Sequence, residues 1–122
     1  MELIIIKYID YAIELEEINK DGLSHGNNLR RNNSLADKLR KIAKNIESKT
    51  PKCKNAFAEL LRHDNSNVRM WCAHHILEVM NYDDETRKNA LLIIKDASFV
   101  SYGEKLWLKN WINNNPQDAL LI

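Results

Sequence analysis

Leu60-Leu61-Arg62-His63-Asp64-Asn65-Ser66-Asn67-Val68-Arg69-Met70-Trp71-Cys72-Ala73-His74-His75-Ile76-Leu77 is the stretch on which the reading of this chain turns. It holds a stop and a start. The side chains of Asp64, Asn65, Ser66 and Asn67 compete for backbone hydrogen bonds, so they favour turns and helix caps over a helix interior. A helix arriving through Leu60 and Leu61 therefore ends near His63, and another opens at Ser66 or Asn67 and runs to Met80. Along it Val68, Cys72 and Ile76 recur every fourth residue and form one apolar seam. Small side chains at Cys72 and Ala73 let a neighbouring helix approach closely. Arg69, in the first turn, is within reach of the Asp64 carboxylate across the connection.

Outward from this element the same period continues. Upstream, Thr50-Pro51 reads as an N-cap followed by proline at the first helical position, where a missing N–H does no harm. Before that, Leu35, Leu39, Ile42, Ala43 and Ile46 define a helix ending near Ser48, whose start lies anywhere from Leu23 to Ser34. The polar stretch Ser24-His25-Gly26-Asn27-Asn28 is turn-prone. The first helix spans Leu3 to Lys20, with Ile5, Ile9, Ala12, Ile13 and Ile18 at helical spacing and Asp21-Gly22 as a stop. Downstream, Asp83 or Asp84 caps a fifth helix with Ala90, Leu91, Ile94 and Ala97 inward. A sixth, from about Ser98 to Asn113, carries Leu106, Trp107, Leu108, Trp111 and Ile112 and ends before Pro116. No run alternates as a strand does. The fold class is all-α, with about six helices whose short connections imply antiparallel pairs, in one domain over residues 1–122.

Composition suits a packed helical core: 44% of the 122 residues are hydrophobic, and only three are glycine and two proline. Eighteen basic against 17 acidic residues leave a formal charge of +1, so no overall field draws the chain to nucleic acid or an anionic membrane, and local charge must carry any such case. Glu2 stands where a signal peptide is basic, and Lys7 and Asp10 cut the opening apolar run below the length of a membrane span. A cytoplasmic protein with reduced core thiols at Cys53 and Cys72 is expected.

The segment Leu60 to Leu77 resembles the HEAT-repeat signature, in which a leucine-rich helix end meets an Asp/Asn turn and then a helix opening with Val-Arg. The likeness is strongest over residues 51–80. More loosely, residues 8–112 resemble small bacterial HEAT-like domains, with a bend like Gly26-Asn27-Asn28 and a last helix with leucine followed by tryptophan like Leu106 to Trp111. Cys72 stands where alanine is usual, and Gly103 interrupts the last helix. The resemblance implies a short right-handed superhelix of stacked pairs and a kinship with immunity proteins, which neutralise polymorphic and contact-dependent-inhibition toxins by occluding them.

Neither a cofactor nor a metal is expected. Cys72 and His75 share a helix face, but His74 points elsewhere, His63 is remote, and no second ligand pair follows. No nucleophile-base pair declares itself, and Gly22, Gly26 and Gly103 stand apart rather than forming a phosphate loop, so the chain is not read as an enzyme. With Val68, Cys72 and Ile76 inward, Trp71, His74, His75 and Glu78 lie along the other side, and tryptophan is enriched at binding hot spots. These four are the candidate contacts for a protein partner, unless Trp71 simply fills a groove between helices and the histidines are ordinary helix surface. Trp107 and Trp111 read as core or C-terminal packing.

Asp10, Glu14, Glu17 and Asp21 form an acidic stripe opposite Lys38, Arg40, Lys41, Lys44, Lys49, Lys52 and Lys54. Either the two faces only attract each other, or Glu14 and Glu17 steer a basic toxin. The alternatives to a toxin partner are a nucleic-acid backbone held by Lys38, Lys41 and Lys44, or a peptide held by a scaffold module. No membrane and no small-molecule substrate is expected.

Overall fold

Six α-helices follow one another in a computed structural model that describes residues 2–20 and 26–122. They are α1 (Leu3–Lys20), α2 (Gly26–Glu47), α3 (Pro51–Ala58), α4 (Ser66–Glu78), α5 (Asp84–Ser98) and α6 (Tyr102–Asn114). A 3-10 turn over Glu59–Arg62 extends α3, and another over Pro116–Leu120 closes the chain. No strand occurs among the described residues. The expected stop at Asp21-Gly22, the acidic Asp21 and the turn residues Ser24-His25 lie outside them.

Local chemistry accounts for the helix starts. Thr50 caps α3 through its hydroxyl, with Pro51 at the first position. The Asn65 side chain accepts from the N–H groups of Asn67 and Val68 to open α4. Asp83 caps α5 by accepting from Thr86, and Ser101 caps α6 by accepting from Glu104. Gly26-Asn27-Asn28 does not bend the chain: it is the first turn of α2. Arg31, in the next turn, grips both oxygens of Glu14 and links this end of α2 to α1.

Packing is densest between α1 and α2, α4 and α5, and α5 and α6, with α1 also lying on α4. Residues 79–83 and 99–101 are the whole of the last two connections, so those pairs run antiparallel. The seam Val68, Cys72 and Ile76 is fully buried, as are Leu35, Leu39, Ala43 and Ile46 of α2. The thiols of Cys53 and Cys72 are both buried and free. On α1 the buried row is Ile5, Tyr8, Ala12 and Leu15, while Ile9, Ile13 and Ile18 are only half-buried. Tyr8 displaces the expected isoleucines because it packs edge-on against Phe57, ring centroids 4.9 Å apart, and finds a buried partner for its hydroxyl.

Arg69 corrects another expectation. Its guanidinium donates to the backbone carbonyls of His63 and Asp64, at 2.6 and 3.0 Å, and not to the Asp64 carboxylate. Carbonyls left unpaired where a helix ends are the nearer acceptors. At the far end Asp118, 2% exposed, accepts from Arg87 of α5 and, at 2.8 Å, from the Trp111 indole of α6, so the terminal turn is docked. Gly103 meets no crowding; a Cβ there would touch only the Ser101 hydroxyl at 3.9 Å.

Candidate functional site

A groove of about 670 Å³ opens over α4, which forms its floor. Asn67, Met70, Trp71, His74, His75 and Glu78 line it at helical spacing, so every fourth residue that the buried seam leaves over faces the groove. One wall is α2, through Ala36, Asp37 and Arg40. The other is the end of α5 and the start of α6, through Ala97, Ser101, Glu104 and Trp107. A smaller pocket of about 390 Å³, between α5 and the 3-10 turn after α3, is lined by no aromatic side chain.

His74 fixes the second wall. Its Nε2 lies 2.8 Å from Glu104 of α6 and its Nδ1 lies 3.1 Å from Glu78, one turn along α4. Burial opposes charge on the ring, but the two carboxylates prevail and hold its pKa up at about 9, so the imidazolium donates to both. The same bond holds the Glu78 carboxyl below its usual range. The ring also sits edge-on to Trp107, centroids 4.4 Å apart, and Trp107 stacks on Trp111 at 5.1 Å. Helix α6 is therefore tied to α4 by charge and aromatic contact together.

His75 behaves in the opposite way. It is 5% exposed, and burial pushes its pKa down to about 4. The neutral ring accepts at Nδ1 from the Tyr8 hydroxyl, 2.6 Å away, which leaves the proton on Nε2. Among the described residues no buried side-chain nitrogen or oxygen lacks a partner, and none of them accepts from the His75 Nε2–H, which therefore faces the groove's solvent. Trp71 leans over this ring with centroids 5.7 Å apart, half-buried.

The candidate contacts thus divide. Trp71, His74, His75 and Glu78 come together in the groove. His75 lines the groove but is 5% exposed, more buried than its alternative reading as exposed or partly buried helix surface, and its ring bonds the core hydroxyl of Tyr8. Glu14 and Glu17 lie on α1 and line no part of the groove; Glu14 pairs with Arg31, which lowers its pKa, and Glu17 pairs with Lys20 at 2.9 Å. Of the basic face, Lys38 lies 5.3 Å from the centre of the Tyr11 ring and Lys54 pairs with Glu47. Between the two charge stripes no close ion pair forms among the described residues from Lys38 to Lys54, although Lys38 attracts the Glu14 carboxylate and helps to lower its pKa.

Asp37 and Glu104 have no role in the sequence reading, Arg40 enters it only as part of the basic face, and Trp107 only as core or C-terminal packing; all four line the groove. Spacing was the available signal, since Asp37 with Arg40 and Glu104 with Trp107 are each three apart and share a helix face. Which face meets α4 is not in the spacing. Among the described residues no cluster of three or more His, Cys, Asp or Glu side chains is arranged to hold a metal. The two nitrogens of His74 point to opposite edges of its ring, so Glu78 and Glu104 do not converge on one point with it.

Set beside known proteins, the chain matches no family model, no curated protein and no solved structure, so its groove is read from its own residues.

Proposed function

We propose that this chain is a protein-binding module that acts by occlusion, with the groove over α4 as its contact surface. One observation carries the reading. The groove joins a half-buried tryptophan pair, Trp71 and Trp107, to charges fixed before any partner arrives, because His74 is already locked between Glu78 and Glu104. Preorganised aromatic anchors with polar neighbours are what binding hot spots require, and rigidity lowers the entropy lost on association. The same locking spends His74 on structure, which favours a non-catalytic role.

The partner is a cognate bacterial toxin domain, and here the support is the loose likeness of residues 8–112 to small bacterial HEAT-like domains, which resemble immunity proteins. Co-expression with the toxin domain encoded beside the gene tests it. Wild-type chain is expected to restore growth, and Trp71→Ala to lose at least tenfold in affinity, about 1.4 kcal/mol or more. Failure of the wild type to protect ends the toxin reading; full protection by Trp71→Ala ends the groove reading.

A nucleic-acid partner is the second reading, and a specific observation favours it. Lys41, Lys44, Lys49 and Lys52 are exposed, and none is in an ion pair among the described residues. Retention on DNA or RNA that falls steeply with salt would support this reading, and no retention at low salt would remove it.

A further inference from the structure

The connection between α5 and α6 is unlike the others. Phe99, Val100 and Tyr102 follow one another around the Ser101 cap with 78%, 92% and 79% of their surface exposed. Leu106, one turn into α6, is exposed as well, and no residue of α6 is fully buried. A connection between antiparallel helices needs polar, turn-forming residues, and nothing in the fold asks for three large apolar side chains pointing into water.

Lysines flank this apex on both helices. Lys95 is in the last turn of α5, Lys105 in the first turn of α6 and Lys109 in the next, and none is in an ion pair among the described residues. Of the acids beside them, Glu104 is taken by His74, which leaves Asp96. An apolar tip with aromatic members, flanked by lysines on both helices, matches the chemistry of an anionic lipid surface: rings and aliphatic groups seat at the headgroup boundary while ammonium groups meet lipid phosphates and carboxylates.

A second copy of the chain fits less well. The three apex side chains offer on the order of 500 Å², against about 800 Å² per partner in a stable complex. A symmetric contact would also face the lysines toward themselves.

We propose that the α5–α6 apex docks the protein on anionic membrane surfaces through Phe99, Val100 and Tyr102, with Lys95, Lys105 and Lys109 supplying the attraction. This is peripheral attachment, since no helix among the described residues is long and apolar enough to cross a membrane. The apex adjoins the groove wall at Ser101 and Glu104, but Phe99, Val100 and Tyr102 line no part of the groove, and the attachment needs no toxin.

Sedimentation of the full chain with phosphatidylcholine vesicles, with and without phosphatidylserine, tests it. Binding is expected only when phosphatidylserine is present and should weaken as salt rises. Phe99→Asp with Val100→Asp should lower the partition coefficient at least tenfold, and each of Lys105→Gln and Lys109→Gln about fivefold. Circular dichroism should be unchanged, because the cap Ser101 is retained. The proposal is overturned by no sedimentation with phosphatidylserine vesicles at low salt, by equal binding to both vesicle types, or by undiminished binding of the Asp variant. It is also overturned if the apex proves to be a self-association surface, seen as a dimer in analytical ultracentrifugation that Phe99→Asp abolishes.

Discussion

His74 and His75 are neighbours in sequence and opposites in chemistry. The first is held charged between two carboxylates, with a pKa near 9; the second is held neutral against Tyr8, with a pKa near 4. An unfolded histidine titrates near 6.5. The stabilisation from His74 is therefore complete below about pH 6.5 and lost as pH rises toward 9. That from His75 is complete above about pH 6.5 and lost as pH falls toward 4. Stability should peak near pH 6.5, with each arm spanning at most about 3 kcal/mol. Urea denaturation across this range measures it. His74→Gln should flatten the alkaline arm alone, and His75→Gln, whose amide still accepts from Tyr8, the acid arm alone. Arms that persist unchanged in these variants would show that other groups set the profile.

Among the elements, α6 owes its position to its contact with α5, to His74, which meets both Glu104 and Trp107, and to the terminal turn, where Asp118 joins Arg87 to Trp111. Removing one partner of a buried ion pair leaves an uncompensated charge, which costs more than the pair itself contributes. Asp118→Ala should therefore lower unfolding stability by about 3 kcal/mol, moving the urea midpoint while the slope is kept. A change under about 1 kcal/mol would mean that the turn is not integrated with α5 and α6.

The elements also show what was legible beforehand. The seam Val68, Cys72 and Ile76 and the caps at Thr50 and Asp83 were readable because they depend on spacing and on side chains within one turn. Tyr8 meeting His75, and Glu104 meeting His74, were not, because each joins residues far apart in the chain. Asn27 and Asn28 misled for a related reason. Turn propensity is a local preference that tertiary context overrides, and here these residues continue into the long helix α2.

On the scale of the whole molecule, the acidic residues of α1 and the groove lie on different parts of the surface, and this makes their roles separable. Glu14 and Glu17 sit on α1, each already paired with a cation, whereas Trp71 and Trp107 line the cleft between α2, α4 and α6. Charges outside a contact act on encounter, over a screening length of about 8 Å at physiological salt, while buried anchors act on escape. For a basic toxin partner, Glu14→Lys with Glu17→Lys should slow association by about tenfold at low salt and hardly at all at high salt, leaving dissociation unchanged. Trp71→Ala should do the reverse, accelerating dissociation with association unaltered. Stopped-flow and surface-plasmon measurements at two salt concentrations distinguish the two. Faster dissociation in the charge-reversed variant would mean that α1 itself touches the partner, and an unaltered association rate at low salt would mean that the acidic stripe is only a solvated helix face.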